Sequence, residues 1–264
     1  MRSALAIVAL CVVVEACARP SITPRVAPST RPDEALLILP GFGYGAKGEQ
    51  AFRALAASAR RDGIELFVPN YLMRGGLVDS RSKLQAYLRR QQLDRVARLH
   101  VFAFLAGGWT LNPLLQTQSL PNLKTVIYDR SPYQERAPRI ADETLHFPAW
   151  LRYGSTIFDV ARTSYAPLTA PAVNIGIVVE TKPTAFVRKR AARARSYGPF
   201  NFDCDAFGQP HNDCVYIDMS HDELYVRVAE VWPDIRAFIR TGRFTTAANR
   251  TPPATDALAV SRPH

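Results

Sequence analysis

The sequence holds no apolar stretch long enough to cross a bilayer. Its longest, ALAIVALCVVV at 4–14, has eleven residues, where a spanning helix needs about twenty. It has no internal repeat and no periodic glycine, and hydrophobic residues (47%) outnumber charged ones (21%). A collagen, a coiled-coil rod and a wholly disordered chain are thereby excluded. Cysteine is scarce, with four in 264 residues. The pair at Cys204 and Cys214 (CDAFGQPHNDC) lacks zinc-ligand spacing, and His211 alone does not complete a set. Asp203, Asp205, Asn212 and Asp213 lack the order of an EF-hand, so no metal or other cofactor is expected. Acidic residues are in deficit: 23 Asp+Glu face 33 Lys+Arg, for a net charge of +10.

A basic chain of this kind raises nucleic acid as a partner, but the N-terminus points elsewhere. Met1-Arg2 followed by the apolar run has the layout of an export signal. The run ends in Val14-Glu15-Ala16-Cys17, which resembles the lipobox of bacterial lipoproteins, with Glu15 a departure from its small or apolar middle position. The resemblance implies cleavage before Cys17 and a lipid on its sulfur. Ala18 follows where an Asp would imply inner-membrane retention, so an outer-membrane location facing the periplasm is expected if the cell is Gram-negative. The plainer alternative is an ordinary secretory signal cut near Ala16 or Ala18. Either way the expected partners are a membrane, anionic lipid or envelope glycan rather than nucleic acid. In an oxidising envelope Cys204 and Cys214 are expected to pair.

Residues 17–34, with Pro20, Pro24, Pro28 and Pro32, read as a tether, and residues 245–264 as a disordered tail. Between them, at 35–244, short apolar runs alternate with helical patterns. Strands are expected at 36–39, 65–68, 99–105, 125–128, 172–180 and 215–219. Helices are expected at 49–61, at 80–92 and at 222–240, the last interrupted by Pro233. Continuous apolar strands alternating with helices predict an α/β fold, a mainly parallel doubly wound sheet covered on both faces. Residues 130–170, rich in proline and aromatics, break the alternation and are expected to form a small cap. Phe147, Trp150, Tyr153, Phe158 and Tyr165 are expected in the cap core rather than on a sugar-stacking platform. Arg188, Lys189, Arg190, Arg193 and Arg195 would make a basic face on one helix, either simply solvated or docked on anionic lipid or glycan.

Three stretches resemble the α/β-hydrolase family, across residues 35–241. LLILPGFGYG at 36–45 matches the strand and glycine-rich turn that supply an oxyanion-hole N–H there, with Pro40 in place of the family's His and Gly41, Phe42 and Gly43 keeping the turn. HVFAFLAGGW at 100–109 matches the strand and nucleophile elbow. In this alignment Ala103 and Gly107 take the flanking glycine positions, and Leu105, followed by Ala106, takes the place of the serine. DMSHDELY at 218–225 falls where the family carries its catalytic histidine, here His221. The acid would be Glu180, after the strand at 172–180, or Asp129, after the preceding strand. Each has a bland alternative: Glu180 in a surface pair with Lys182, Asp129 as a loop cap, His221 bonded to Asp222 or capping its helix. Ser131 and Ser220 are weaker candidates for a replacement nucleophile.

Leucine has no nucleophilic atom and no ionisable group, and 101–109 contains no Ser, Cys or Asp. The resemblance therefore implies a hydrolase-like protein without the serine mechanism. The expected function is a non-catalytic binding or scaffold protein, with Phe104, Leu105, Pro40 and Phe42 forming a pocket for a small apolar ligand. Two alternatives stand beside it: a hydrolase of ester or similar acyl bonds in which His221, with Asp129 or Glu180, activates water or a nucleophile that the motif does not reveal, and a structural envelope protein using the basic face.

Overall fold

The computed structural model describes residues 32–130, 136–199 and 201–253. The expected signal, Cys17, most of the expected tether, Ser131 and the last eleven residues lie outside them.

Six strands form one sheet: β1 (Glu34–Leu39), β2 (Glu65–Phe67), β3 (Arg98–Ala103), β4 (Leu123–Arg130), β5 (Asn174–Glu180) and β6 (Asp213–Ile217). Their order is β2-β1-β3-β4-β5-β6, and every neighbouring pair is parallel. Side chains alternate across the sheet. Leu36, Ile38, Phe102, Ile127 and Val178 pack on one face; Leu37, Leu39, Val101, Val126 and Ile177 pack on the other. Both faces are buried, so the strands read as unbroken apolar runs rather than alternating ones.

Helix α1 (Ala46–Arg61) covers the first face. Helices α2 (Leu77–Arg90) and α3 (Leu105–Thr117) lie in the remaining crossovers before β4. Between β4 and β5 the described residues form three short helices, α4 (Arg136–Thr144), α5 (His146–Tyr153) and α6 (Thr156–Arg162), in the segment expected to be a cap. The basic segment is not one helix. It divides into α7 (Ala185–Arg188) and α8 (Ala191–Arg195), and Arg193 turns back to Glu143 and the Tyr197 hydroxyl. A single arginine face is therefore not presented.

The last helix, α9 (His221–Thr241), starts from a capping box. Ser220 accepts from the Glu223 N–H, and Glu223 accepts from the Ser220 N–H at 2.7 Å. It runs through Pro233; its backbone departs from helical geometry at Arg227 instead (φ −112°, ψ 16°). Gly242, at φ 72°, ends it in the left-handed conformation that glycine adopts without Cβ strain.

The segment from residue 245, expected as tail, is packed at its start behind Phe244. The Tyr216 N–H donates to Asn249 O at 2.8 Å, and Arg250 pairs with Asp213 at 2.8 Å. Phe244 is buried against Phe238. Arg250, with its buried acid partner, and the Asn249 carbonyl hold this segment, which its Thr, Ala and Pro content had concealed. Cys204 and Cys214 form a disulfide. Among the described residues no helix is long and apolar enough to cross a membrane.

Candidate functional site

The C-terminal ends of β4, β5 and β6 bring three ionisable side chains together. Asp129 stands near the end of β4, Glu180 ends β5, and His221 opens α9 just after β6. His221 Nδ1 lies 3.0 Å from Asp129 Oδ2 and 3.4 Å from Glu180 Oε1. All three are buried. The two acid positions that the sequence left as alternatives are thus occupied together. Lys182, the expected surface partner of Glu180, pairs with Asp218 at 2.9 Å. Nor does His221 cap its helix, because Ser220 does so.

The charge balance in this cluster is unusual. Two carboxylates face one imidazole away from water, where an unpaired charge is costly. Burial alone would lower the affinity of His221 for its proton. The Glu180 charge and the Asp129 hydrogen bond outweigh that and push it up to about 10. Asp129 is also raised, because burial disfavours its charge more than the His221 hydrogen bond restores it. The acids thus draw the proton of the cluster toward the imidazole. The donor atoms of the three residues lie within 4.8 Å of one another, a spacing a metal ion could use. A cation there would have to displace the proton between Nδ1 and Oδ2.

The ring is clamped by aromatics. Phe104 meets it edge-on at 5.4 Å and Tyr225 at 4.8 Å, and these two stack on each other at 4.4 Å. Tyr225 lies one helical turn beyond His221, so both project from one side of α9. Its hydroxyl accepts the Gly41 N–H at 2.7 Å. The Tyr71 hydroxyl donates to Pro40 O at 2.8 Å. These two tyrosines fix the glycine-rich turn, and the sequence reading named neither. A methyl group added at Gly41 would meet the Tyr225 oxygen at 3.2 Å and His221 Nε2 at 3.6 Å. The Gly41 N–H, expected as part of the oxyanion turn, is thus already engaged by Tyr225.

The elbow departs from a nucleophile turn in geometry as well as in residue. β3 stops at Ala103, two residues short of the expected Leu105. Phe104 takes an extended N-cap conformation (φ −64°, ψ 163°), and Leu105 is the first residue of α3. A nucleophile elbow holds its serine in a strained turn. Among the described residues the one non-glycine with positive φ is Gln92, so Leu105 carries no such strain. The tight packing of the elbow persists: a Cβ on Gly107 would lie 2.8 Å from Leu39 Cβ and 2.9 Å from Leu39 O.

A cavity of about 490 Å³ opens beside His221. Phe42 and Gly43 line it from the β1 turn, and Ala137, Ala141, Ala149 and Tyr153 line it from the cap helices. Phe186 is apolar too, while Arg152, Thr184, His221 and Asp222 supply its polar edge. The expected pocket walls Leu105 and Ala106 are not part of this lining. They are buried under Val160 of α6, with Phe42, Leu72 and Trp109 around them. Phe104 packs on the α1 and α9 side of the sheet. The cap, rather than the elbow, makes most of the pocket.

No known family profile and no curated protein matches the sequence. Among solved structures, the mature form of the Bacillus licheniformis lipase BlEst2 is similar with a TM-score of 0.57 at 12% identity, over 85% of this chain and 98% of that one. The chain has the α/β-hydrolase fold. The same lipase in its propeptide form gives a TM-score of 0.57 at 12% identity, over 89% of this chain and 56% of that one. Est1E from Butyrivibrio proteoclasticus gives 0.47 at 15% identity, over 79% and 88%. The likeness to BlEst2, at 12% identity, speaks for the architecture alone. Function rests on the site itself.

Proposed function

We propose that this α/β-hydrolase-fold protein is an exported, lipid-anchored binding protein of the cell envelope that holds a small apolar ligand beneath its cap. The single observation that carries the reading is Leu105 at the serine position, unstrained and buried under Val160. With no nucleophile there and the Gly41 N–H taken by Tyr225, an acyl-enzyme has neither its attacking atom nor that oxyanion donor. What the fold retains is the cavity. Its alanines, Phe42, Tyr153 and Phe186 suit an alkyl or acyl chain, and Arg152, His221 and Asp222 suit one polar end. Export and the lipid on Cys17 rest on the apolar run at 4–14 and the lipobox-like VEAC. Loss of palmitate labelling in Cys17→Ser tests the anchor, and labelling that persists in that variant contradicts it.

The test of binding is titration of the full chain with a fluorescent medium-chain fatty acid. Saturable binding is expected, and Ala137→Phe, which fills the cavity, should weaken it at least about tenfold, the loss of some 1.4 kcal/mol. Binding unchanged in Ala137→Phe would place the ligand elsewhere.

A second reading has one observation in its favour: His221 lies 3.0 Å from Asp129 and also lines the cavity, the arrangement of a general base for water. Its raised proton affinity weighs against that role, because an imidazole that the two acids hold toward its protonated form is a poorer acceptor of a proton from water.

A further inference from the structure

The cap carries a solvent-facing aromatic surface that the cavity does not use. On α5, Phe147 is 68% exposed and Trp150 is 47% exposed. Their rings stack at 6.3 Å, so they form one patch rather than two stray side chains. The Arg74 guanidinium sits 5.7 Å from the Trp150 ring and donates to the Trp150 carbonyl at 3.1 Å. Residues of the same strip of chain as Arg74 extend the apolar character: Met73 is 36% exposed, and Val78, in the first turn of α2, 64%. The other face of α5 points inward, with Pro148, Ala149 and Tyr153 on the cavity. One short helix therefore separates the cavity from an exposed aromatic surface.

We propose that α5 docks this protein onto an anionic lipid surface, with Phe147 and Trp150 entering the headgroup–acyl boundary. Tryptophan and phenylalanine beside arginine are the side chains that settle at that boundary. The charge agrees: residues 136–199 carry ten basic and four acidic residues, and one of the four, Glu180, is buried beside His221. At the patch itself Arg74 lies against Trp150, and α5 carries Arg152 and no acidic residue, a local charge complementary to an anionic leaflet. A glycan fits less well, because sugar recognition needs hydrogen-bonding side chains around the ring plane. The α5 sequence HFPAWLRY holds no amide or carboxylate, and its Arg152 and Tyr153 bond to each other and line the cavity instead. The docking does not depend on what occupies the cavity, so either proposal can fail without the other.

The test is collisional quenching of Trp150 by lipids brominated along the acyl chain, with the full chain on phosphatidylglycerol vesicles. A lipid anchor would hold every variant at the vesicle, so the readout is the depth of one ring rather than binding. Wild type is compared with Trp150→Ser, which isolates the Trp150 signal from Trp109 and Trp232, and with Phe147→Ser. We expect at least about twofold quenching of the Trp150 signal on phosphatidylglycerol, weakened in Phe147→Ser and by raised salt. Absence of quenching overturns the proposal. Equal quenching on phosphatidylcholine overturns its electrostatic part. A concentration-dependent dimer lost in the Phe147→Ser variant, with no quenching by vesicles, would assign the patch to a second copy of the chain and overturn it as well.

Discussion

His221 Nδ1 and Asp129 Oδ2 lie 3.0 Å apart with both side chains out of solvent, at 2% and 0% exposure. Glu180 adds a second carboxylate at 3.4 Å. The imidazole thus contacts two buried acids at once, and the cluster should respond to substitution as a unit.

Replacing His221 by Gln removes the imidazole that both acids contact. The loss is expected to be about 3–5 kcal/mol at pH 7, the scale for breaking a buried ion pair. Adding Asp129→Asn and Glu180→Gln should return much of it, because no unpaired charge then remains. Urea unfolding of the single and triple variants measures both. A single-variant loss below about 1 kcal/mol would mean the three are not charged as described.

The same cluster sets a pH dependence. The folded pKa of His221, about 10, stands above an unfolded value near ~6.5. The stabilisation it contributes is complete below the unfolded value and is lost as pH rises toward the folded one. Unfolding free energy should therefore fall between about pH 7 and 9.5 in wild type, and fall much less in His221→Gln. Parallel curves would refute the raised affinity.

Restoring the serine should not restore an enzyme. In Leu105→Ser the hydroxyl would sit in the apolar nest of Val160, Leu72 and Trp109, on a backbone without the elbow's strain. The expected result is a stability loss of about 2–4 kcal/mol, from lost apolar burial and an added buried hydroxyl, with no ester turnover. Turnover in this variant would show that only the side chain, and not the turn, had been lost.

Gly107→Ala tests the packing of the elbow. Its methyl would press on Leu39 Cβ and carbonyl at 2.8 and 2.9 Å, backbone and core atoms with nowhere to retreat. A cost of about 1–3 kcal/mol is expected from overpacking. A neutral result in thermal unfolding would mean β1 and α3 are less closely packed than the structure has them.

Much of the architecture could be read from the sequence because parallel strands buried on both faces leave apolar runs that need no partner to be recognised. Boundaries slipped where an apolar residue changes state without changing character: Phe104 and Leu105 continue the run of β3 but begin a helix. The site was legible residue by residue, not as a constellation. Glu180 beside Lys182 looks like a surface pair because the partner that buries it, His221, is brought in from beyond β6. Tyr225 to Gly41 spans 184 positions, and the only sequence signal was a tyrosine one turn after the histidine. Phe147 and Trp150 lie outward while Phe158 is buried. Aromatic content alone does not distinguish a cap core from a cap surface.

The most direct measurement is hydrolysis of short- and medium-chain p-nitrophenyl esters by the purified protein, with His221→Ala prepared in parallel. Leu105 in place of the nucleophile and a His221 that the two acids hold toward its protonated form predict rates that do not differ between wild type and variant. Turnover that disappears in His221→Ala would contradict the account and make this cluster a working base.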